Sequence, residues 1–329
     1  MSSRASFLTL PCLLLLAGCQ GGDSVLSPHG LQAGQIANLT WILFAVTGAI
    51  FLIVVGAIWL AIRGPANIRG ALGTTRMVIA CGIVFPAVVL VALLVSNIGL
   101  MNSLARAPAD KSDTVSITVV GEQWWWRVTY TSGGNLVAAA NEIRIPVGRD
   151  VIFTLKSADV IHSFWVPSLA GKVDMIPGRD NKLRIHATRP GVFRSPCAEY
   201  CGGPHALMAL QVIAMPSDEF DTWLQREAAP AVQPASERER LGQSLFLSSG
   251  CAACHAVRGT AATGIVGPDL TRIGARQTIA AGTLPLNHDN LIRFITEGQQ
   301  VKPGNTMPEF RIFSEAERDA LAAYLLSLK

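Results

Sequence analysis

Two stretches of the chain carry no charged side chain: residues 38–61 (NLTWILFAVTGAIFLIVVGAIWLA) and residues 77–100 (MVIACGIVFPAVVLVALLVSNIGL). Each is long enough to cross a bilayer as a helix, in which all backbone polar groups are satisfied internally. Ahead of them, MSSRASFLTLPCLLLLAGC joins Arg4 to a short leucine-rich run and small residues, the pattern of a secretory signal. The connection IRGPANIRGALGTTR carries Arg63, Arg69 and Arg76 and no acid, which predicts that it faces the cytoplasm. The mature N-terminus and everything after residue 100 then lie outside. From Asp113 the pattern shortens to β-type runs: TVSITVVGEQWWWRVTY, NEIRIPVG, RDVIFTLKSA, IHSFWVP, NKLRIHA, GVFRSP and LMALQVIAM. Glycine, proline and asparagine punctuate them at the spacing of an all-β sandwich or barrel. A helix, SDEFDTWLQRE, closes this part with Ser217 as its expected N-cap, and AAPAVQPAS reads as a linker. Beyond it the pattern turns helical, with capping boxes at Ser236/Glu239 and Ser314/Glu317. The predicted layout is a signal over residues 1–18, an N-terminal segment with a two-helix transmembrane hairpin over 19–105, a β domain over 106–225, a linker over 226–235 and a small all-α domain over 236–329.

Composition agrees with a membrane anchor. Half of the 329 residues are hydrophobic, only 15% are charged and the mean hydropathy is +0.37, too apolar for an ordinary soluble chain. Residues 106–225 hold twelve basic and twelve acidic side chains, and residues 226–329 eleven and ten, so neither exported part has the basic excess of a nucleic-acid binder. The ending LAGC of the leader resembles the lipobox of bacterial lipoproteins, which implies that Cys19 is lipidated and becomes the mature N-terminus. An ordinary cleaved signal is the alternative; Cys12 is discarded under either.

CAACH, Cys251 to His255, is the C-x-x-C-H attachment signature of a c-type haem: two thiols add across the vinyl groups and the adjacent histidine ligates iron. A thioredoxin-like redox pair would need a βαβ context that this segment lacks. A domain that only moves electrons takes a second axial ligand. Met307, on the turn-rich PGNTMPEF before the last helix, is the candidate; His288 is the competitor, otherwise a solvated helix-start residue. Residues 236–329 resemble class I cytochrome c, through Gly242 and Phe246 in the first helix, GPDL at Gly267 to Leu270 and Tyr324 in the last helix. The resemblance implies that Pro268 sits beside the histidine ligand and that the terminal helices cross near Gly242.

CAEYCGGPHALM, Cys197 to Met208, brings four soft donors into twelve residues: Cys197, Cys201, His205 and Met208. A disulfide is permitted outside the cytoplasm. Zinc could use the two cysteines, His205 and one distant histidine. The thioether of Met208 adds nothing to a zinc site and favours copper, unless it is core filler. His162, some thirty-five residues upstream, offers the distant imidazole.

At this point the chain resembles cytochrome c oxidase subunit II, from the first span to about Trp223, through GEQWWW, DVIHSFWVPSL, IPGRDN, RPGVF and CAEYCGGPHALM. The resemblance implies a cupredoxin, a Greek-key barrel, carrying the binuclear copper centre CuA. Cys197 and Cys201 would bridge two coppers, His162 and His205 would cap one each, Met208 would ligate one weakly and the main-chain carbonyl of Glu199 the other. The Glu199 side chain would reach a magnesium ion at the boundary with the catalytic subunit. Trp124 matches the tryptophan where electrons enter; core packing is the alternative for Trp125 and Trp126. Two features depart from the family pattern. Glu122 and Trp125 replace the histidine and tyrosine of GHQWYW, and the second span has Ile79 where many relatives carry a glutamate for proton uptake. His29 and His186 match no ligand position.

The combined expectation is subunit II of a haem-copper terminal oxidase with a fused cytochrome c domain, in a bacterial plasma membrane, with the copper and haem domains on the outer face. Electrons would pass from a cytochrome c or a quinol:cytochrome c reductase to the covalent haem, to CuA and to the catalytic subunit that reduces O2. Its partners would be oxidase subunits I and III. An exported copper-assembly or haem-sensor protein is the alternative, though it would need neither the tryptophan cluster nor the hairpin. Catalysis like that of nitrous-oxide reductase would need a further histidine-rich domain, which six histidines exclude. Mass spectrometry of the mature N-terminus should find a lipid on Cys19. A reporter fused after Lys329 should work outside the cytoplasm; activity only in the cytoplasm would overturn the orientation.

Overall fold

The computed structural model describes residues 24–104 and 114–329; Cys19 lies outside the described residues. The chain divides into two compact units, the apolar helices from Gly34 on, and residues 24–33 together with everything from Thr114 onward.

In the first unit, α1 (Leu31–Arg63) contains no proline and stops at Gly64-Pro65, where the pre-proline position disfavours helix. After a short helix, Ala66–Leu72, a second long helix starts at Thr75, capped by the Thr74 hydroxyl, which accepts from Met77 N at 3.4 Å. It widens to a π-helix over Ala80–Val84 and continues as α2 (Phe85–Leu104). Pro86 lacks an N–H and would press on the preceding turn; the widened turn makes room for it. Both helices outrun the predicted spans, because polar flanks such as Gln32 and Gln35 continue the helix without being apolar. Phe51, Leu52 and Ile53 are exposed, as side chains facing lipid would be.

The β domain is an all-β cupredoxin-like sandwich. One sheet has the order β3 (Asn135–Ala140), β2 (Trp125–Ser132), β1 (Val115–Glu122), β5 (Asp150–Ser157), β8 (Asn181–His186). The other has β4 (Glu142–Pro146), β10 (Ala209–Met215), β9 (Gly191–Pro196), and a small ribbon pairs β6 (His162–Phe164) with β7 (Val173–Met175). Alternating inward residues build the core, with Ile117, Val119, Trp126, Val128, Phe153 and Phe193 buried. Three features differ from the sequence reading. The run TVSITVVGEQWWWRVTY is a hairpin: Glu122 pairs with Trp125, leaving Gln123 and Trp124 at its tip. Strand β3, poor in β-formers, is fixed by the turn Gly133-Gly134, both at positive φ, between the paired Ser132 and Asn135. Ser217 is not the cap of α3 (Ser217–Ala228): Pro216 holds that position, and the Ser217 hydroxyl accepts from Arg149 Nη1 at 3.2 Å.

Residues 24–33 lie on the same domain, with His29 N and Gly30 N donating to Ser168 O and Ala33 N to Leu169 O. The proline-alanine linker is held as well. Arg272 Nη2 donates to the carbonyls of Arg226 (2.7 Å), Ala229 and Pro230 (both 3.2 Å), and Ala231 N donates to Arg258 O.

The α domain contains α4 (Glu237–Ser248), α5 (Cys251–Cys254), α6 (His288–Thr296) and α7 (Glu315–Ser327). Both expected capping boxes form, at Ser236/Glu239 and Ser314/Glu317. Helices α4 and α7 cross at Gly242, where a Cβ would stand 2.0 Å from Ala320 O and 2.7 Å from Tyr324 Cβ. Replacing Gly242 by alanine should therefore cost about 1–3 kcal/mol, the scale of an overpacked core. Chemical denaturation followed at the haem band measures it, and an unchanged midpoint would show that the crossing relaxes freely.

Candidate functional site

Strands β9 and β10 run antiparallel, Pro196 opposite Ala209, and Cys197 N donates to Met208 O at 2.8 Å, so the loop between them starts and ends at one fixed point. Inside it, Cys197 Sγ and Cys201 Sγ are 3.8 Å apart, both thiols free and buried. A disulfide would require about 2.05 Å. His162 Nδ1 faces Cys197 Sγ at 3.8 Å, His205 Nδ1 faces Cys201 Sγ at 3.5 Å, and Met208 Sδ stands 3.7 Å from Cys201 Sγ. The main-chain carbonyl of Glu199 lies 3.2 Å from Cys197 Sγ. All six predicted residues thus converge. The Glu199 side chain points elsewhere, half-exposed with Oε2 3.5 Å from Lys172 Nζ. His29, His186 and Cys81 are not in the cluster; His186 pairs with Asp150 at 3.0 Å.

The electrostatics of the pair suit cations. The Cys201 thiol bonded to it is the main reason that the Cys197 thiol falls to about 3; in turn Cys201 is pushed well above its ordinary value. Charge on one sulfur opposes charge on the other, and a bound metal cation would relieve that opposition. Soft thiolates, imidazoles and a thioether fit copper. One contributor was missed from sequence. Asp159 Oδ1 binds His162 Nε2 at 2.8 Å, and its other oxygen accepts from Gln123 N at 2.7 Å. With Nε2 held by Asp159, Nδ1 is the nitrogen that faces the sulfurs, the usual carboxylate–histidine support of a ligand. Burial lowers the His162 pKa, but the bonds to Cys197 and Asp159 outweigh it and the net shift is upward. Gly121 makes the ring's position possible, since a Cβ there would lie 2.8 Å from His162 Cδ2.

In the α domain a cavity of about 230 Å³ has Cys251, Cys254, His255 and Met307 on its wall, with Phe246 and Leu325 among its apolar lining. His255 Nδ1 donates to Pro268 O at 2.8 Å, and burial lowers its pKa, so the ring is neutral with Nε2 left as a lone-pair donor. Free thiols, a preset imidazole and a thioether around an apolar cavity fit a covalent haem. His288 is not on that wall; it is held at 2.9 Å by Asp319.

Trp124 belongs to both sites. Its indole Nε1 donates to Cys201 O at 2.9 Å, while the ring lines the α-domain cavity. Gln123 Nε2 donates to the same carbonyl at 2.7 Å. Trp126 is fully buried core. Trp125 lines the cavity and lies under the Arg127 guanidinium, 4.7 Å from the ring centre. Glu122 pairs with Arg127, whose Nη2 reaches Ile265 O of the α domain at 2.8 Å.

Residues 133–215 match the family model for the periplasmic domain of cytochrome c oxidase subunit II, and residues 240–329 that for cytochrome c. Cytochrome c oxidase subunit 2 of Alkalihalophilus pseudofirmus is 39% identical over 337 residues, covering 98% of this chain and 95% of that one. The same subunit of Bacillus subtilis is 32% identical over 262 residues, covering 75% and 73%. The solved periplasmic domain of subunit II of cytochrome oxidase from Bradyrhizobium japonicum is 28% identical with a TM-score of 0.34, covering 38% of this chain and 100% of that one. The chain belongs to the cytochrome c oxidase subunit 2 family. It is an oxidase subunit with a fused cytochrome c domain and two apolar helices, a membrane protein with periplasmic domains that assembles with other oxidase subunits. The first domain implies copper and the second haem.

Metal analysis of the full chain should find two coppers, lost in Cys197→Ser and Cys201→Ser alike; one zinc per chain would refute the copper assignment. Asp159→Ala should weaken copper binding about 10–100-fold in competition with a chelator. An unchanged affinity would mean that packing alone holds His162.

Proposed function

We propose that this subunit accepts electrons through a covalent c-type haem and passes them by way of a binuclear CuA centre to the catalytic subunit that reduces O2 to water. The observation that carries this reading is Trp124, which donates to the Cys201 carbonyl on one side and walls the haem cavity on the other. When bound, the haem and the copper pair each supply a one-electron carrier held by fixed ligands.

The chain's own residues do the rest. Cys251 and Cys254 would tether the haem, and His255 and Met307 would be its iron ligands, a pair that keeps substrates from the iron. Cys197, Cys201, His162, His205, Met208 and the Glu199 carbonyl hold the copper pair. The barrel would hold these side chains in place whichever charge the copper pair carried, so that little rearrangement would oppose transfer. The Glu199 side chain, beside Lys172 at the surface, is assigned to a magnesium ion at the boundary with subunit I. The partners in this reading are subunits I and III and an external donor, a cytochrome c or a quinol:cytochrome c reductase. The two apolar helices span the membrane as a hairpin with its arginine-bearing turn in the cytoplasm, and Cys19 carries a lipid anchor. An assembly or sensor protein would have no use for a tryptophan bridging the two sites.

Trp124→Gln in the assembled oxidase should keep its copper and haem yet slow haem-to-copper transfer tenfold or more, a barrier change of about 1.4 kcal/mol. Flash reduction of the haem, followed at the copper band, measures it. Transfer at the wild-type rate would reduce Trp124 to packing.

A further inference from the structure

Lys302 follows the short helix Gly298–Val301 in the α domain, five residues before Met307, and is only 3% exposed. Its Nζ donates to three main-chain carbonyls, Trp124 O at 2.5 Å, Leu207 O at 2.9 Å and Ala280 O at 3.2 Å. An ammonium has three N–H donors, and three acceptors use all of them. Two of the three belong to the β domain, at two points that matter. Trp124 is the hairpin tip whose indole holds the Cys201 carbonyl. Leu207 precedes Met208. The third acceptor, Ala280, belongs to Lys302's own domain.

The surroundings make this a joint rather than a chance contact. Thr283 Oγ1 donates to the same Leu207 carbonyl at 3.2 Å, and Ala209 N donates to Ala281 O at 2.9 Å. Gly304 comes against the Trp124 ring, close enough that a Cβ there would lie 3.5 Å from Cζ3. Other cross-domain bonds lie elsewhere and use other partners, among them Arg127 to Ile265 O, Arg144 to Ala275 O at 3.3 Å, Gln277 N to Glu142 at 2.9 Å and Arg258 to Ala138 O at 3.3 Å. They would keep the domains together without Lys302. What Lys302 alone does is bind the tryptophan tip, the copper loop and the haem-domain loop with one charge. Burial of the Lys302 amine carries a large desolvation cost, and three main-chain carbonyls give its N–H groups acceptors only while the domains are docked.

We propose that Lys302 is a positioning residue for transfer between the two centres: it clamps the haem-domain loop onto the tryptophan hairpin and the copper loop, and so fixes the gap that the electron crosses. This rests on the functional reading above. In the assembled oxidase, Lys302→Met keeps the length of the side chain and removes every donor. Haem content, copper content and the potentials of both centres should stay as in the wild type. Haem-to-copper transfer after flash reduction should slow severalfold or more, as the electron then crosses a wider gap. Hydrogen exchange should show the Ala209 amide losing protection, while α7, around Tyr324, keeps its own. Lys302→Gln, which retains two N–H donors, should fall between and decides the matter if the methionine variant does not assemble. Wild-type transfer and wild-type exchange at Ala209 would overturn the clamp. So would slow transfer accompanied by haem loss or by lost protection throughout α7, since Lys302 would then only support its own domain. If the wild-type protein itself shows no transfer, the functional reading fails, and exchange at Ala209 still decides whether Lys302 joins the domains.

Discussion

Two sulfurs 3.8 Å apart in an interior closed to water cannot both be negative unless a cation lies with them. Much of the β domain serves that constraint. The register of β9 and β10 and the bond from Cys197 N to Met208 O fix both ends of the loop, so its donors return to one point. The missing side chain of Gly121 lets His162 reach the same point from a different strand. Asp159 then turns that ring so that the correct nitrogen faces inward. A flexible loop with the same sequence would relieve the repulsion by letting the two sulfurs move apart.

The second structural theme is the sharing of one hairpin by two cofactors' surroundings. The tip formed by Gln123 and Trp124 bonds the copper loop through its side chains and walls the haem cavity with one of them. Any movement of this hairpin would therefore change the lining of both sites together. The replacement of histidine by Glu122 belongs here too, because Glu122 aligns Arg127 for its bond to the haem domain.

The side chains that converge at the two candidate sites were legible in the sequence because each set is local and chemically unusual: CAACH, and CAEYCGGPHALM with His162 as its distant member. Capping boxes were legible for the same reason of short range. The hairpin inside the WWW run was not, since its tip, Gln123 and Trp124, holds no glycine or proline to mark the turn. Ser217 was misplaced because Pro216 can hold a cap position with its backbone alone. Lys302 and Arg272 were invisible in principle: their partners are main-chain carbonyls, which every residue has, up to 178 positions away.

The linker held by Arg272 bears on how such fusions arise. A covalent join between two ancestral chains keeps a docked geometry only if its length suits the distance between the ends it connects. Three carbonyls fastened to one guanidinium make that length a selected property. Insertions or deletions there should be selected against, although the segment has no side chain near either centre. Exchange of the haem module between related oxidases would then succeed only when the module and its leading strap travel as one inherited block.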